Sequence, residues 1–343
     1  MKINFLLPHL KISGGVRIIL SYANFLGKLG HDVTILTTER SFFRRLLKKI
    51  KREPRWFGTL EAKVSYLSSW SSKYLPTADV VVGDSWRVGD FVLTLPEKFG
   101  HKVQFIQHDE RLYHGEPKDV TKVYMAPTHK IVVSTWLKNI FKKDFNQEVN
   151  LLLNPIDPKL FYQASVQHAT DKIRVLMLNH SYPWKGVKDG LEAYSMVKKR
   201  YPEQKLELVM FGVRGQKPKI CDEYYFNPPQ EKIAEIYSSC DIFLCPSWDE
   251  GFGLPSLEAM ACGVVVVTYD NGGNRDYAFD GRTALVVPRR DVSRLAEKLE
   301  IAVRNSVLRQ EIIANALIFV KNFPSWSEQV YKLENLLKNA INS

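Results

Sequence analysis

One stretch narrows the possible folds more than any other: D-I-F-L-C-P-S-W-D-E-G-F-G-L-P-S-L-E-A-M-A-C-G-V-V-V-V-T-Y-D, Asp241 to Asp270. Ile242 to Cys245 is an apolar run of strand length. Gly251 and Gly253 then mark a turn where backbone approaches something closely. Pro255 suits the first turn of a helix, where its missing N–H costs nothing. Leu254, Leu257, Met260 and Ala261 recur at helical spacing, and Gly263 ends that helix. Val264 to Thr268 is a β-branched run suited to a buried parallel strand. The unit predicted is strand, tight glycine loop, short helix, strand. Such a loop presents the N–H groups of a helix N-terminus, and an anion is their natural guest. Glu250 stands on the loop and Glu258 on the helix behind it.

A chain of 343 residues has room for two domains with filled cores. Apolar content of 45% and charged content of 25% fit a soluble globular protein. No apolar run nears the ~20 residues of a membrane span, and from Met1-Lys2 followed by a short strand-like run no signal peptide is expected. The expected location is cytoplasmic, with the inner face of the cell membrane as an option. Cys221, Cys240, Cys245 and Cys262 form no Cys-x-x-Cys pair and sit mostly beside apolar runs. Buried free thiols are therefore expected rather than zinc or disulfides. The net charge of +11 suits an anionic partner: nucleic acid, acidic lipid or a phosphorylated substrate.

In chain order, Lys2–Leu7 reads as a strand, and the loop to Gly14-Gly15 leads into a helix. That helix carries Val16, Ile19, Leu20, Ala23, Leu26 and Leu29 on one face, with Gly30 at its end. Asp32 to Thr37 is the next strand. A glycine loop at the carboxyl end of a strand is where open α/β sheets bind ligands, although G-x-G-x-x-G is absent here. Glu39 to Trp56 is the most charged segment. Phe42, Phe43, Leu46, Leu47 and Ile50 form one helical stripe, and Arg44, Arg45, Lys48, Lys49, Lys51 and Arg52 lie opposite. Two readings stand: a helix lying on an anionic membrane surface, or a surface helix with its stripe on the core. Nucleic acid is not expected, because no nucleic-acid module is visible. Strands at 79–83, 102–107, 130–134 and 151–153 alternate with helical stretches, the pattern of a parallel doubly wound sheet. Asn154-Pro-Ile-Asp-Pro and a polar patch through Thr170 suggest a linker. A second α/β series follows, with strands at 173–178, 205–211 and 283–287, a loop Asn179–Gly186, and a last helix Trp326–Ile341.

The glycine loop can hold a phosphate. Glu258 can accept two hydroxyls, as a ribose edge offers, and Glu250 those of a second sugar-like group. A nucleotide-sugar pocket is one reading; a plain strand–helix turn with two solvated glutamates is the other.

E-G-F-G-L-P-S-L-E, two glutamates separated by seven residues, then A-M-A-C-G and V-V-V-T, resembles the signature of glycosyltransferase family 4. Weaker likenesses follow in order: Gly14-Gly15 with L-G-H-D-V-T-I-L-T, Q-H-D at 107–109, V-S-T-W-L-K, L-N-P-I-D-P-K-L-F, and W-K-G at 184–186. The resemblance implies the GT-B fold, two Rossmann-like doubly wound α/β domains facing across a cleft. The expected domains are 1–165 on the acceptor side, 166–324 for the nucleotide sugar, and a C-terminal helix over 325–343 that could return to the first. It implies a retaining, metal-independent hexosyl- or deoxyhexosyltransferase that needs no cofactor beyond its nucleoside-diphosphate sugar. Its acceptor would be a glycan or lipid-linked saccharide in cell-surface polysaccharide synthesis. By the same resemblance Glu258 holds the ribose, Lys185 the diphosphate, and N–H groups near Phe252, Gly253 and Leu254 the phosphate or donor sugar. Glu250 takes the sugar hydroxyls, Gly14 and Gly15 admit phosphate and acceptor, and His108 lies near the transferred sugar. Without the family, His108 reads as a structural loop histidine.

Two departures bear on the donor. The family often carries an Arg six residues before the lysine; here Asn179 stands there, so the clamp has one cation fewer or borrows from Arg17, Arg214 or His180. N-G-G-N-R-D-Y at 271–277 replaces the usual glycine-then-Glu ending and faintly resembles rhamnosyl-type transferases. Base selection is expected in the loop Tyr224–Pro229. A sugar-nucleotide epimerase of the same fold and a non-catalytic sugar-nucleotide or nucleic-acid binder are the rival readings.

Overall fold

The computed structural model describes residues 1–50, 54–166, 172–213 and 215–342. Contacts divide the chain into two compact units, Met1–Asn154 with Ser327–Ser343, and Pro155–Trp326. Each is an α/β unit built on one parallel sheet.

The first unit runs β1 (Lys2–Leu6), α1 (Gly14–Lys28), β2 (Asp32–Thr38), α2 (Phe42–Ile50), β3 (Lys63–Leu67) and β4 (Val80–Gly83). It continues with α3 (Trp86–Leu93), β5 (His101–Ile106), α4 (Pro117–Met125), β6 (His129–Val132), α5 (Thr135–Phe145) and β7 (Asn150–Leu151). Its strands lie in the order β3-β2-β1-β4-β5-β6-β7. The chain leaves β1 on one side for β2 and reaches β4 on the other. The switch point, where such sheets bind ligands, therefore lies at the carboxyl ends of β1 and β4. Ser13 caps α1 by accepting the Val16 N–H at 3.3 Å. Val16, Ile19, Leu20, Ala23 and Leu26 are buried as the spacing predicts, while Leu29 is the exposed cap residue. β3 was not foreseen: K-V-S-Y-L is an edge strand with little of the apolar pattern of its neighbours.

The second unit runs β8 (Ile173–Leu178), α6 (Val187–Arg200), β9 (Leu206–Gly212), β10 (Glu223–Phe226), α7 (Gln230–Ser238), β11 (Ile242–Cys245), α8 (Leu254–Ala261) and β12 (Val265–Tyr269). Then come β13 (Leu285–Val287), α9 (Val292–Arg304) and α10 (Ser306–Lys321). The order β10-β9-β8-β11-β12-β13 puts its switch point at the ends of β8 and β11. β11 and β12 are buried at every position, which is why they read as continuous apolar runs. β10 corrects the expectation of a loop at Tyr224–Pro229: Glu223–Phe226 pairs in parallel with Val209–Gly212. All four cysteines are buried, free thiols.

The joint falls at Asn154/Pro155, ahead of the 165/166 expected from composition. Residues 155–166 go with the second unit because Phe161 is buried and Ser238 ties the segment down. Ser238 Oγ accepts the Ala164 N–H at 3.0 Å and faces the Tyr162 carbonyl at 3.4 Å. The last helix, α11 (Trp326–Asn342), buries Val330, Leu333, Leu337 and Ala340. Beyond its first residue it belongs to the first unit, where Glu334 meets His31 Nε2 at 3.1 Å.

The basic segment is shorter than expected. The helix covers Phe42–Ile50; Lys51 and Arg52 lie outside the described residues, and Arg55–Phe57 form a separate turn. Its stripe does not face a core. Phe42, Phe43, Leu46, Leu47 and Ile50 are 47% to 76% exposed, and no residue of α2 is buried. The polar side makes the attachments instead. Lys48 pairs with Glu39 at 3.0 Å and lies over the Tyr66 ring, and Arg45 donates to the Glu39 and Arg40 carbonyls. An amphipathic helix docked by its charges turns its apolar face outward.

Candidate active site

Every site residue expected in the second unit lies in a loop at the carboxyl end of β8 or β11, or on α8 behind. Lys185 closes a short turn, Pro183–Lys185, after β8. Glu250 opens the glycine loop after β11. Lys185 Nζ donates to Glu250 Oε1 at 2.6 Å, with the two side chains 20% and 11% exposed. The lysine expected at a diphosphate and the carboxylate expected at a sugar therefore form an ion pair with one another. They line a small pocket with Leu178, Cys245, Ser247 and Pro255.

The glycine loop is geometrically demanding. Gly253 has φ +84°, and a Cβ there would meet the Tyr277 hydroxyl at 2.7 Å. Only glycine avoids both penalties. Gly253 is also the residue preceding α8, and no side chain caps that helix. The N-terminus thus keeps its affinity for an anion. Phe252 is buried against the Tyr277 ring, their centroids 5.5 Å apart, so its side chain anchors the loop from inside. Glu258 is buried on α8, where the single proton of Tyr237 Oη is shared between its Oε2 at 3.3 Å and the Pro255 carbonyl at 3.1 Å.

Asn179, at the position where the resemblance expects an arginine, directly follows β8. It is buried, and its Nδ2 donates to the Gln216 carbonyl and the Tyr224 hydroxyl, each at 3.0 Å. It braces the segment between β9 and β10. His180 Nδ1 accepts the Tyr182 N–H at 3.0 Å, and Tyr182 in turn stacks on Trp184 at 4.4 Å. Arg214, one candidate for a borrowed cation, lies outside the described residues.

In the first unit Gly14 and Gly15 open α1 beside the end of β5. The Gln107 amide holds the three loops together, donating to the Gly15 carbonyl at 3.1 Å and to Asp84 Oδ1 at 2.6 Å. His108 Nδ1 lies 3.0 Å from the Asp109 carbonyl, which can only accept, so Nδ1 carries a proton. His108 Nε2 is buried without a hydrogen-bond partner. Reasoning from sequence missed two carboxyls here. Glu110 Oε2 accepts the Trp86 N–H at 2.6 Å, and burial pushes the group up to about 8. Burial also raises Asp84 well above the ordinary carboxyl range, helped by the neighbouring Glu110 charge. Their one signal in the sequence was position: Asp84 directly follows β4, and Glu110 lies in the loop four residues past β5.

Two parallel doubly wound units in succession are the GT-B architecture of solved glycosyltransferases. Sucrose-phosphate synthase from Thermosynechococcus elongatus matches over 99% of both chains, with TM-score 0.80 at 16% identity. HepE of Anabaena, solved with UDP and glucose, matches over 99% of this chain and all of its own, with TM-score 0.77 at 15% identity. In the second unit, residues 159–318 match the family model of glycosyl transferases group 1. The N,N'-diacetylbacillosaminyl-diphospho-undecaprenol alpha-1,3-N-acetylgalactosaminyltransferase of Campylobacter jejuni is 30% identical over 149 residues, 41% of this chain and 38% of the relative. The aligned stretches span about two fifths of the first curated relatives.

Proposed function

We propose that the protein is a retaining, family 4 glycosyltransferase moving a hexosyl or deoxyhexosyl group from a nucleoside-diphosphate sugar to a glycan or lipid-linked saccharide in surface polysaccharide synthesis. The observation that carries this is the convergence of Lys185, Glu250 and an uncapped, glycine-led helix N-terminus at the β8/β11 switch point. That set matches what the chemistry needs. Breaking the sugar–phosphate bond leaves charge on the diphosphate, and fixed N–H donors with a cation stabilise it. In this reading the C1–O(phosphate) bond breaks and the C1–O(acceptor) bond forms on the same face. The acceptor proton passes to the departing phosphate oxygen, so no separate base or metal is required.

Lys185 then leaves Glu250 for the diphosphate, and Glu250 turns to sugar hydroxyls. The N–H groups around Phe252, Gly253 and Leu254 hold phosphate, and Glu258 holds the ribose. Gly14, Gly15 and His108 serve the acceptor side. Relatives lend support: a C. jejuni relative is named for transfer onto a diphospho-undecaprenol saccharide, and HepE was solved with UDP and glucose. An anionic membrane surface is the partner proposed for α2, because its apolar face is turned out beside exposed Arg44 and Lys49. Among the described residues no helix is long and apolar enough to cross a membrane.

A thermal-shift panel of UDP, GDP, dTDP and ADP sugars tests the donor assignment. A sugar nucleotide at ~100-fold its dissociation constant raises stability by about 2.7 kcal/mol. Silence across the panel, or undiminished turnover in both Glu258→Ala and Lys185→Ala, contradicts it. Incubation with donor alone identifies an epimerase by a new sugar nucleotide.

A further inference from the structure

The turn 271–277 departs from the pattern the rest of the second unit follows, and the donor chemistry leaves it unused. It forms a backing plate for the glycine loop. Glu250 N–H donates to the Asn271 carbonyl at 3.0 Å, and Gly273 N–H returns to the Glu250 carbonyl at 3.1 Å. A Cβ at Gly273 would sit 2.5 Å from that carbonyl oxygen and from the Phe252 nitrogen, so the approach tolerates only glycine. The turn is itself fixed. Asn274 Nδ2 donates to the Tyr269 carbonyl at 2.8 Å, Arg275 makes a two-pronged contact with Asp270, and Thr283 Oγ1 donates to the Tyr277 carbonyl at 2.6 Å.

Tyr277 ends this turn, completely buried. Its hydroxyl lies 3.1 Å from the Phe252 carbonyl and 2.5 Å from the Gly253 carbonyl; both can only accept, so they share its one proton, the nearer Gly253 carbonyl taking the stronger part. A trans peptide unit points its C=O and N–H in opposite directions. Drawing these two carbonyls inward toward Tyr277 therefore turns the N–H groups of Gly253 and Leu254 the other way. Burial keeps the phenol protonated, so the donor is present throughout the working pH range.

We propose that Tyr277 is a positioning residue for the diphosphate of the donor, acting through the two carbonyls it holds to aim the Gly253 and Leu254 N–H groups at the anion. The inference rests on the donor reading above, and it adds a residue that touches no substrate. Tyr277→Phe keeps the ring and removes the hydroxyl. Thr283→Ala loosens the same turn and leaves the hydroxyl in place.

The test titrates UDP, GDP, dTDP and ADP, with the matching nucleosides, into the full chain by calorimetry. Amide hydrogen exchange is followed in the ligand-free proteins. Tyr277→Phe is expected to bind the preferred diphosphate about tenfold more weakly, with nucleoside affinity unchanged, and Thr283→Ala to stay within about twofold. Exchange at Gly253 and Leu254 should quicken about tenfold in Tyr277→Phe alone, with β11 and β12 amides unaffected. Equal loss of affinity in both variants makes Tyr277 merely structural and overturns the inference. So does unchanged exchange at Gly253 and Leu254, whatever the ligand result. If the unaltered protein binds no diphosphate, it is the donor reading that fails.

Discussion

At the scale of single residues, the Lys185–Glu250 pair is the most exposed to test. Lys185→Ala leaves a mostly buried carboxylate without its cation and, in the proposed reaction, the departing diphosphate without its fixed charge. Turnover should fall by about a hundredfold, the size of losing one preorganised donor. Glu250→Gln keeps the shape and frees the lysine, so it should weaken sugar discrimination more than diphosphate affinity. Steady-state kinetics on the donor found by the panel separate the two. Glu110 makes a pH prediction. Its folded carboxyl keeps a proton to about pH 8, whereas the unfolded chain releases it near the ordinary value. The native state therefore binds more protons in between. Its contribution to stability is complete below the unfolded value and is lost as pH rises toward 8, by up to about 1.4 kcal/mol per unit. Glu110→Gln lacks this ionisation, so its stability relative to the unaltered protein should climb from pH 5 to pH 8 in urea unfolding. Parallel profiles contradict the assignment. Position alone marked Glu110 and Asp84 in the sequence, because their shifts come from the neighbours that the β4 and β5 loops bring round them.

At the scale of elements, α2 separates patterning from packing. The sequence shows two faces on this segment, and periodicity cannot say which of them meets the protein. Glu39 and Tyr66 decide that by holding Lys48, which leaves the stripe outside. Leu46→Asp with Leu47→Asp should therefore change stability by less than about 0.5 kcal/mol, as expected for exposed positions. The same pair should abolish sedimentation with anionic vesicles. A Tm drop of several degrees would mean that the stripe is packed in solution, and unchanged sedimentation would remove the membrane from the proposal. Elsewhere local pattern sufficed. β11, α8 and β12 lie within a residue of their predicted limits, since each is buried on all sides or fixed by Gly253 and Gly263 at its ends. β10 escaped notice because an edge strand needs pairing partners more than an apolar sequence.

At the scale of the whole molecule, the chain order and the order of packing disagree once. α11 comes last in sequence yet belongs with the first 154 residues. Deleting 327–343 uncovers the seat of Val330, Leu333, Leu337 and Ala340, and should destabilise the first unit by on the order of 5 kcal/mol. Limited proteolysis should then release peptides from 1–154 while 173–321 persists; equal protection of both would contradict this.

Two parallel α/β units, a strand–glycine loop–helix beginning at Ile242, and the residue types at the strand ends were all legible in the sequence. Those are local properties, set by period, by β-branched runs and by the φ demanded of glycine. Packing settled that Lys185 meets Glu250, that Asn179 hydrogen-bonds the segment between β9 and β10, and that α2 turns its apolar side out. It also decided that Tyr277 sits beneath the opening loop. Each of these joins residues far apart in the chain, and their meeting depends on strand order and register, which no single segment encodes.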